Sequence, residues 1–237
     1  LSRSQRLPHA QELYARGIHM ATNTYECGMP PSALTCGGTA NDTGYDKETS
    51  KNGVLTLRKS EGPLTYSLGV FANNVDNYIY ARTLDQYEAF RLIKYTQADV
   101  EFRGVEAELG YQFSDAVSAT LFGDRTRARF ADGGANVPRI PAARFGGRVN
   151  WALGAFDTEL ELYRVNRQRD IADYEEESPS YDMVNLTLAY TVPNTNAQVF
   201  LRGTNLADEQ VWNHASFLAS TVPQPGRNVS LGFSYRF

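Results

Sequence analysis

From Val229 to the end of the chain, Leu231, Phe233, Tyr235 and Phe237 alternate strictly with Ser230, Gly232, Ser234 and Arg236. A helix would scatter those aromatics around its whole circumference, whereas a strand sets them on one face, so the segment reads as a strand ending on Phe. The same period of two recurs upstream. Val184, Leu186, Leu188 and Tyr190 oppose Asn185 and Thr187, and Ala197, Val199 and Leu201 oppose Gln198 and Arg202. Phe156, Leu160 and Leu162 oppose Asp157, Glu159 and Glu161, while Ala143, Phe145, Val149 and Trp151 oppose Arg144, Arg148 and Asn150. Runs at 105–113, 117–121 and 64–72, with a weaker one around Gly53, Leu55 and Leu57, bring the expectation to about nine strands of transmembrane length.

The connections fall into two populations. Short ones around Ser60-Glu61-Gly62, Ser114-Asp115, Leu153-Gly154 and Pro193-Asn194-Thr195 alternate with long ones expected at 74–99, 127–141, 167–180 and 207–226. A soluble sandwich has no reason to sort its loops by end, whereas an outer-membrane barrel has short periplasmic turns and long outer loops. The expected fold is therefore an all-β, antiparallel transmembrane barrel. With the last strand running inward, residues 1–47 are expected to be mainly extracellular loop and 48–237 to hold the strands. Trp151, Phe113, Tyr190 and Phe237 then lie near the periplasmic interface, where amphipathic rings are favoured.

Composition alters this picture little. A hydrophobic content of 42% with 21% charged residues suits a soluble protein, but a barrel whose strands alternate also averages to a hydrophilic sequence. No run approaches the roughly 20 apolar residues of a membrane helix. A net charge of -4 gives no electrostatic reason for a nucleic-acid partner. Cys27 and Cys36, with eight residues between them, suggest one local disulfide in an oxidising, extracytoplasmic setting; a two-thiolate metal site is the competing reading. Closed barrels of one chain are even-stranded, so an odd count and the absence of a start signal lead to the expectation of a piece of something larger, Leu1-Ser2-Arg3-Ser4 reading like the tail of an earlier strand.

Several short motifs, in this order, resemble the C-terminal region of TonB-dependent outer-membrane receptors. They are Arg6-Leu7-Pro8, Glu12-Leu13-Tyr14, Glu48-Thr49-Ser50, Gly104-Val105-Glu106, Asn205-Leu206 with Asp208, Pro225-Gly226-Arg227, and the terminal Phe237. The resemblance covers essentially the whole chain. It implies the C-terminal part of a 22-stranded barrel in the Gram-negative outer membrane, around an N-terminal plug not contained in these residues. It also implies three partners: outer-membrane lipid, the TonB complex acting through the plug, and the barrel assembly machinery acting on the Phe237 strand.

Residues 12–26, from Glu12 to Glu26 through His19, further resemble the extracellular segment of the zinc-uptake subgroup. Imidazole and carboxylate are good zinc ligands, so His19, Glu12 and Glu26 are the candidate metal residues, with zinc as transported cargo rather than catalytic cofactor. A loop histidine bonded to a neighbour is the plainer alternative. His9 and His214 are also placed outside. The acidic run Asp170, Asp173, Glu175, Glu176 and Glu177 would either draw cations to the mouth or form a solvated loop. Haem or an iron-siderophore are the alternative cargoes. A passive porin competes less well, as does an outer-membrane enzyme, since no histidine has a Ser or Asp partner in a recognisable local arrangement.

Overall fold

In a computed structural model, which describes residues 1–29, 36 and 45–237, the chain forms one sheet. Its strands are β1 (Ser2–Arg6), β2 (Arg16–His19), β3 (Thr24–Cys27), β4 (Glu48–Lys59), β5 (Leu64–Tyr87), β6 (Phe90–Ser114), β7 (Val117–Phe130), β8 (Arg144–Leu153), β9 (Phe156–Val165), β10 (Tyr181–Thr191), β11 (Ala197–Thr204) and β12 (Asn228–Tyr235). One short helix, α1 (Ala10–Tyr14), follows β1. The path β1-β4-β5-β6-β7-β8-β9-β10-β11-β12 is an antiparallel meander, and the β2–β3 hairpin stands off it, β3 pairing in parallel with β6. The curved sheet is not closed, and β1 and β12 are its free edges.

Ten strands thus lie on the path where about nine were expected. The added one is β1, where the chain start runs against β4 from Ser2 opposite Asn52 to Arg6 opposite Glu48. A second difference lies at 74–99. That segment is no loop but the distal half of a long β5–β6 ribbon, turned at Glu88, whose φ is 52°. Register shifts between Val75 and Tyr78 and between Thr83 and Asp85 break the alternation there, which is why the pattern faded. Part of the expected 1–47 loop, residues 30–35 and 37–44, lies outside the described residues.

The register sorts the faces. Val149, Leu160 and Leu186 lie side by side on the outward face, continued by Leu201 and Leu231 on the last two strands. Leu55, Leu121, Leu153 and Leu231 are between 61% and 75% exposed, which only a lipid solvent makes favourable. At the short-turn end the outward face carries the ring pairs Tyr111–Phe113, Phe156–Tyr190 and Tyr235–Phe237, with centroids 4.7–5.1 Å apart. This is the aromatic girdle of one membrane interface.

The inward face is polar at mid-height. Arg148 donates to Glu161 at 2.8 Å and lies 3.6 Å from Glu159, and Asn185 donates to the same Glu161. Arg144 donates to Asp124. Where glycine faces an inward aromatic, the ring lies flat across it. Phe71 covers Gly104 and Phe200 covers Gly232, directly opposite in register, and a Cβ at either glycine would come within 2.2 Å of the ring. The Gly104-Val105-Glu106 motif therefore leaves room for Phe71. Towards the long-loop end, Val100, Ala128 and Val137 are buried together with Tyr78, Phe102, Phe130 and Ile140 packed against them, so the 131–143 loop folds back onto the inner wall.

Because Leu186 faces outward near the middle of β10 and Thr187 faces inward, Leu186→Arg should cost about 2–4 kcal/mol in the refolding of the full-length protein into bilayers. Thr187→Arg should cost far less, and equal losses would contradict the register.

Candidate functional site: the outer lobe and loop cluster

At the long-loop end the chain builds two neighbouring structures. The first is a lobe made of α1, the β2–β3 hairpin and the distal β5–β6 ribbon. Arg6, at the end of β1, is its hub. Its guanidinium donates to both oxygens of Glu12 at 2.8 and 3.1 Å and both of Glu48 at 2.9 and 3.0 Å. Glu48 also accepts the N–H of Ile79, and Glu12 that of His9. Planar, bidentate pairing is what an arginine fork does best. Arg6, Glu12 and Glu48 of the quoted motifs thus tie β1, α1, β4 and β5 at one point. Burial works to raise the Glu12 carboxyl, but Arg6 and the His9 N–H outweigh it and hold it below its ordinary value.

The proposed metal residues are therefore divided. Glu12 is engaged by Arg6, while Glu26 receives His19 Nδ1 at 2.8 Å and Gln11 Nε2 at 2.8 Å. Burial also works against the ionised Glu26, yet the bonds from Gln11 and His19 keep its pKa below normal. An ionised carboxylate only accepts, so His19 Nδ1 is the donor, and Nε2 makes no hydrogen bond among the described residues. The carboxylate is 7% exposed and the imidazole 47%: an inner oxygen orients an outward ring. Tyr95 of β6 faces the same carboxylates, and burial followed by Glu26 and Glu12 pushes it up to about 12, keeping it a neutral phenol. Among the described residues no three His, Cys, Asp or Glu side chains converge on one point. His9 is exposed at the start of α1, and His214 lies in the other loop cluster. Cys27 and Cys36 are joined, with Cα atoms 6.3 Å apart, so the two-thiolate metal reading does not apply.

The second structure is the cluster of loops 131–143, 166–180 and 205–227. Here the acidic run divides: Asp173 and Glu176 are exposed, while the others are paired. Asp170 accepts from Arg127 and Glu177 from Arg167, while Glu175 is buried, accepting the N–H groups of Arg139 and Ala172. Buried His214 bonds Ser178 Oγ through Nδ1 at 2.9 Å. Its Nε2 lies 3.4 Å from Glu175, too poorly aligned for a hydrogen bond. Arg139, half-buried, donates to the Ala81 carbonyl and stacks over the Phe217 ring at 4.2 Å. No histidine has a Ser or Asp partner in a recognisable local arrangement, but the fold brings Ser178 and Glu175 to His214 across 36 and 39 positions of chain. With Ser178 only 7% exposed, the trio joins two loops rather than presenting a nucleophile.

The last outer loop is closed by the remaining motif. Asn205, 2% exposed with φ of 50°, donates to the carbonyls of Glu209 and Pro225 and accepts from the N–H of Glu209. Asp208 accepts the N–H of Arg227, and a Cβ on Gly226 would come within 2.9 Å of that carboxylate. Leu206 sits against Gly203. The two motifs are the two ends of one loop.

Residues 1–206 match the family model described as "TonB dependent receptor-like, beta-barrel". The chain belongs to that family. Solved structures of the same fold include the copper transporter OprC, 16% identical over 99% of this chain and 36% of the other, with a TM-score of 0.82. The siderophore receptor PirA from Pseudomonas aeruginosa is 18% identical over 98% of this chain and 37% of its own, with a TM-score of 0.61. The FrpB iron transporter from Neisseria meningitidis is 13% identical over 82% and 32%, with a TM-score of 0.65. The chain spans about a third of the length of the proteins it matches. It is the C-terminal portion of a TonB-dependent receptor barrel, and it resides in the Gram-negative outer membrane. The long-loop end is accordingly the extracellular end, and the receptor's lobe and loop cluster face the medium.

Burial works to raise the Glu175 carboxyl, but His214 and two backbone N–H groups hold it below its ordinary 4.5. A carboxyl depressed on folding stabilises above its unfolded pKa and loses that contribution as pH falls through its folded pKa. In a full-length receptor whose tryptophans other than Trp212 are all replaced by Phe, the fluorescence of Trp212, which lines the cavity beside Glu175, should therefore change in a step below pH ~4.5. Glu175→Gln should abolish that acid step.

Proposed function

We propose that this chain is part of a receptor for TonB-dependent active uptake of a scarce metal, and that the metal is zinc. The observation that carries the proposal is the His19–Glu26 pair. A carboxylate on Nδ1 fixes the imidazole tautomer and makes the other nitrogen a better donor, which is how metal-bound histidines are commonly supported. Glu26 acts in this reading as the orienting group and His19 as the ligand. Glu12, held by Arg6, fixes the lobe rather than the metal, and the missing ligands come from the plug or from strands outside these residues. The resemblance of residues 12–26 to the zinc-uptake subgroup points the same way.

Copper is the second reading. Imidazole suits copper as well as zinc, and a copper transporter is among the proteins of like fold. Transport is energised through the plug and TonB, and the Phe237 strand is the element offered to the barrel assembly machinery.

Calorimetry on the full-length receptor should give zinc affinity at least about tenfold weaker in His19→Ala and some ten- to hundredfold weaker in Glu26→Gln, with unchanged membrane insertion. Unchanged zinc affinity in His19→Ala would remove His19 from the site. Preferential loss of copper binding, or of ferric chelate or haem binding, would reassign the cargo.

A further inference from the structure

At the upper margin of the apolar band, the outward face of β6 and β7 becomes basic. The outward residues of β7 run Val117, Ala119, Leu121 and Gly123, then Arg125, Arg127 and Arg129. On β6 the outward run Phe113, Tyr111, Leu109, Ala107 and Val105 gives way to Arg103. The three β7 arginines stand about 7 Å apart along the strand. Arg103 is the direct cross-strand partner of Arg127, a juxtaposition of like charges that costs stability unless something negative lies between or above them.

The protein's own carboxylates only partly neutralise this patch. Arg103 bonds Glu101 and Asn74, and Arg127 bonds Asp170, which also lies in the field of Arg125 and Arg129. Arg125 and Arg129 are exposed and make no side-chain hydrogen bond or ion pair among the described residues. Four guanidinium groups thus meet two carboxylates on the one surface that faces lipid rather than the lumen. At the height where hydrocarbon ends, the chemical group available to a bilayer-facing arginine is the head-group phosphate, which its fork binds bidentately. In a bacterial outer membrane the outer leaflet supplies that phosphate on a glycolipid.

We infer that Arg103, Arg125, Arg127 and Arg129 form a binding surface for the phosphate groups of outer-leaflet glycolipid. The surface is continuous with the apolar wall below, so that acyl chains lie against Val105, Leu109 and Leu121 while the phosphates reach the arginines. Asp170 competes with the lipid for Arg127.

Native mass spectrometry of the full-length receptor, extracted in mild detergent, tests this. Wild type should retain phosphorylated glycolipid, and Arg125→Gln/Arg127→Gln/Arg129→Gln should retain at least tenfold less. The lumen-facing Arg202→Gln should behave as wild type. Barrel integrity is read from the heat-dependent gel shift. Should the triple variant fail to fold, Arg125→Gln/Arg129→Gln, which removes only the two groups without partners, should still lower retention severalfold. Delipidated wild type should bind phosphorylated glycolipid at least tenfold more tightly than its dephosphorylated form, and Asp170→Asn should not weaken it. Equal retention by folded variants, or equal binding of the dephosphorylated lipid, overturns the inference. Inorganic phosphate alone binding as tightly as the lipid overturns it in favour of a free-anion site.

Discussion

In hydrocarbon a backbone N–H or C=O without a partner costs several kcal/mol, because no water is there to replace it. That constraint orders everything else in this receptor segment. It requires an unbroken antiparallel ladder from β1 to β12, and it makes the outward side chains solvent-facing in an apolar solvent while the inward ones face a polar lumen. Leucines that would be a liability in water become the stabilising surface, and ions such as Arg148 and Glu161 remain within the wall because they pair on the lumen side. The open edges at β1 and β12 cannot stay unpaired in lipid, so the sheet is completed by further strands of the same barrel.

Above the membrane the constraint is lifted, and the chain uses the freedom. The β5–β6 ribbon continues with register shifts that lipid-embedded strands seldom carry, and recruits β3 in parallel. What replaces the lipid as organiser is charge. Arg6 gathers Glu12 and Glu48, Glu175 gathers the Arg139 and Ala172 N–H groups beside His214, and Asn205 with Asp208 closes the final loop. These are charge-assisted or buried polar bonds, directional where lipid contact is not, and they hold loops that have little apolar surface to bury.

That division also separates the groups facing the medium from those facing the bilayer. The His19–Glu26 pair belongs to the lobe, with its carboxylate buried and its imidazole outward, whereas the arginine patch of β6 and β7 belongs to the barrel wall. A ligand from the medium and a lipid from the leaflet therefore meet different faces of one scaffold.

The amino-acid sequence by itself determined the barrel: the alternation from Val229 to Phe237, repeated along the chain, sets strand, face and direction, because a period of two against two solvents leaves one acceptable register. The short and long connections determined which end is extracellular, and the motifs determined the family. The tertiary structure decided the rest. Residues 74–99 read as loop because above the membrane neither face of the ribbon is in lipid, and the bulge after Val75 breaks the phase. The Cys27–Cys36 bridge was local enough to see, and so was the nearness of His19 to Glu26. That Arg6 would join Glu12 to Glu48, or that Ser178 and Glu175 would meet His214, was not, because each depends on where the sheet carries residues distant in the chain. Local spacing specifies a strand's faces, but the meeting of loops is specified only by the whole wall that brings their ends together.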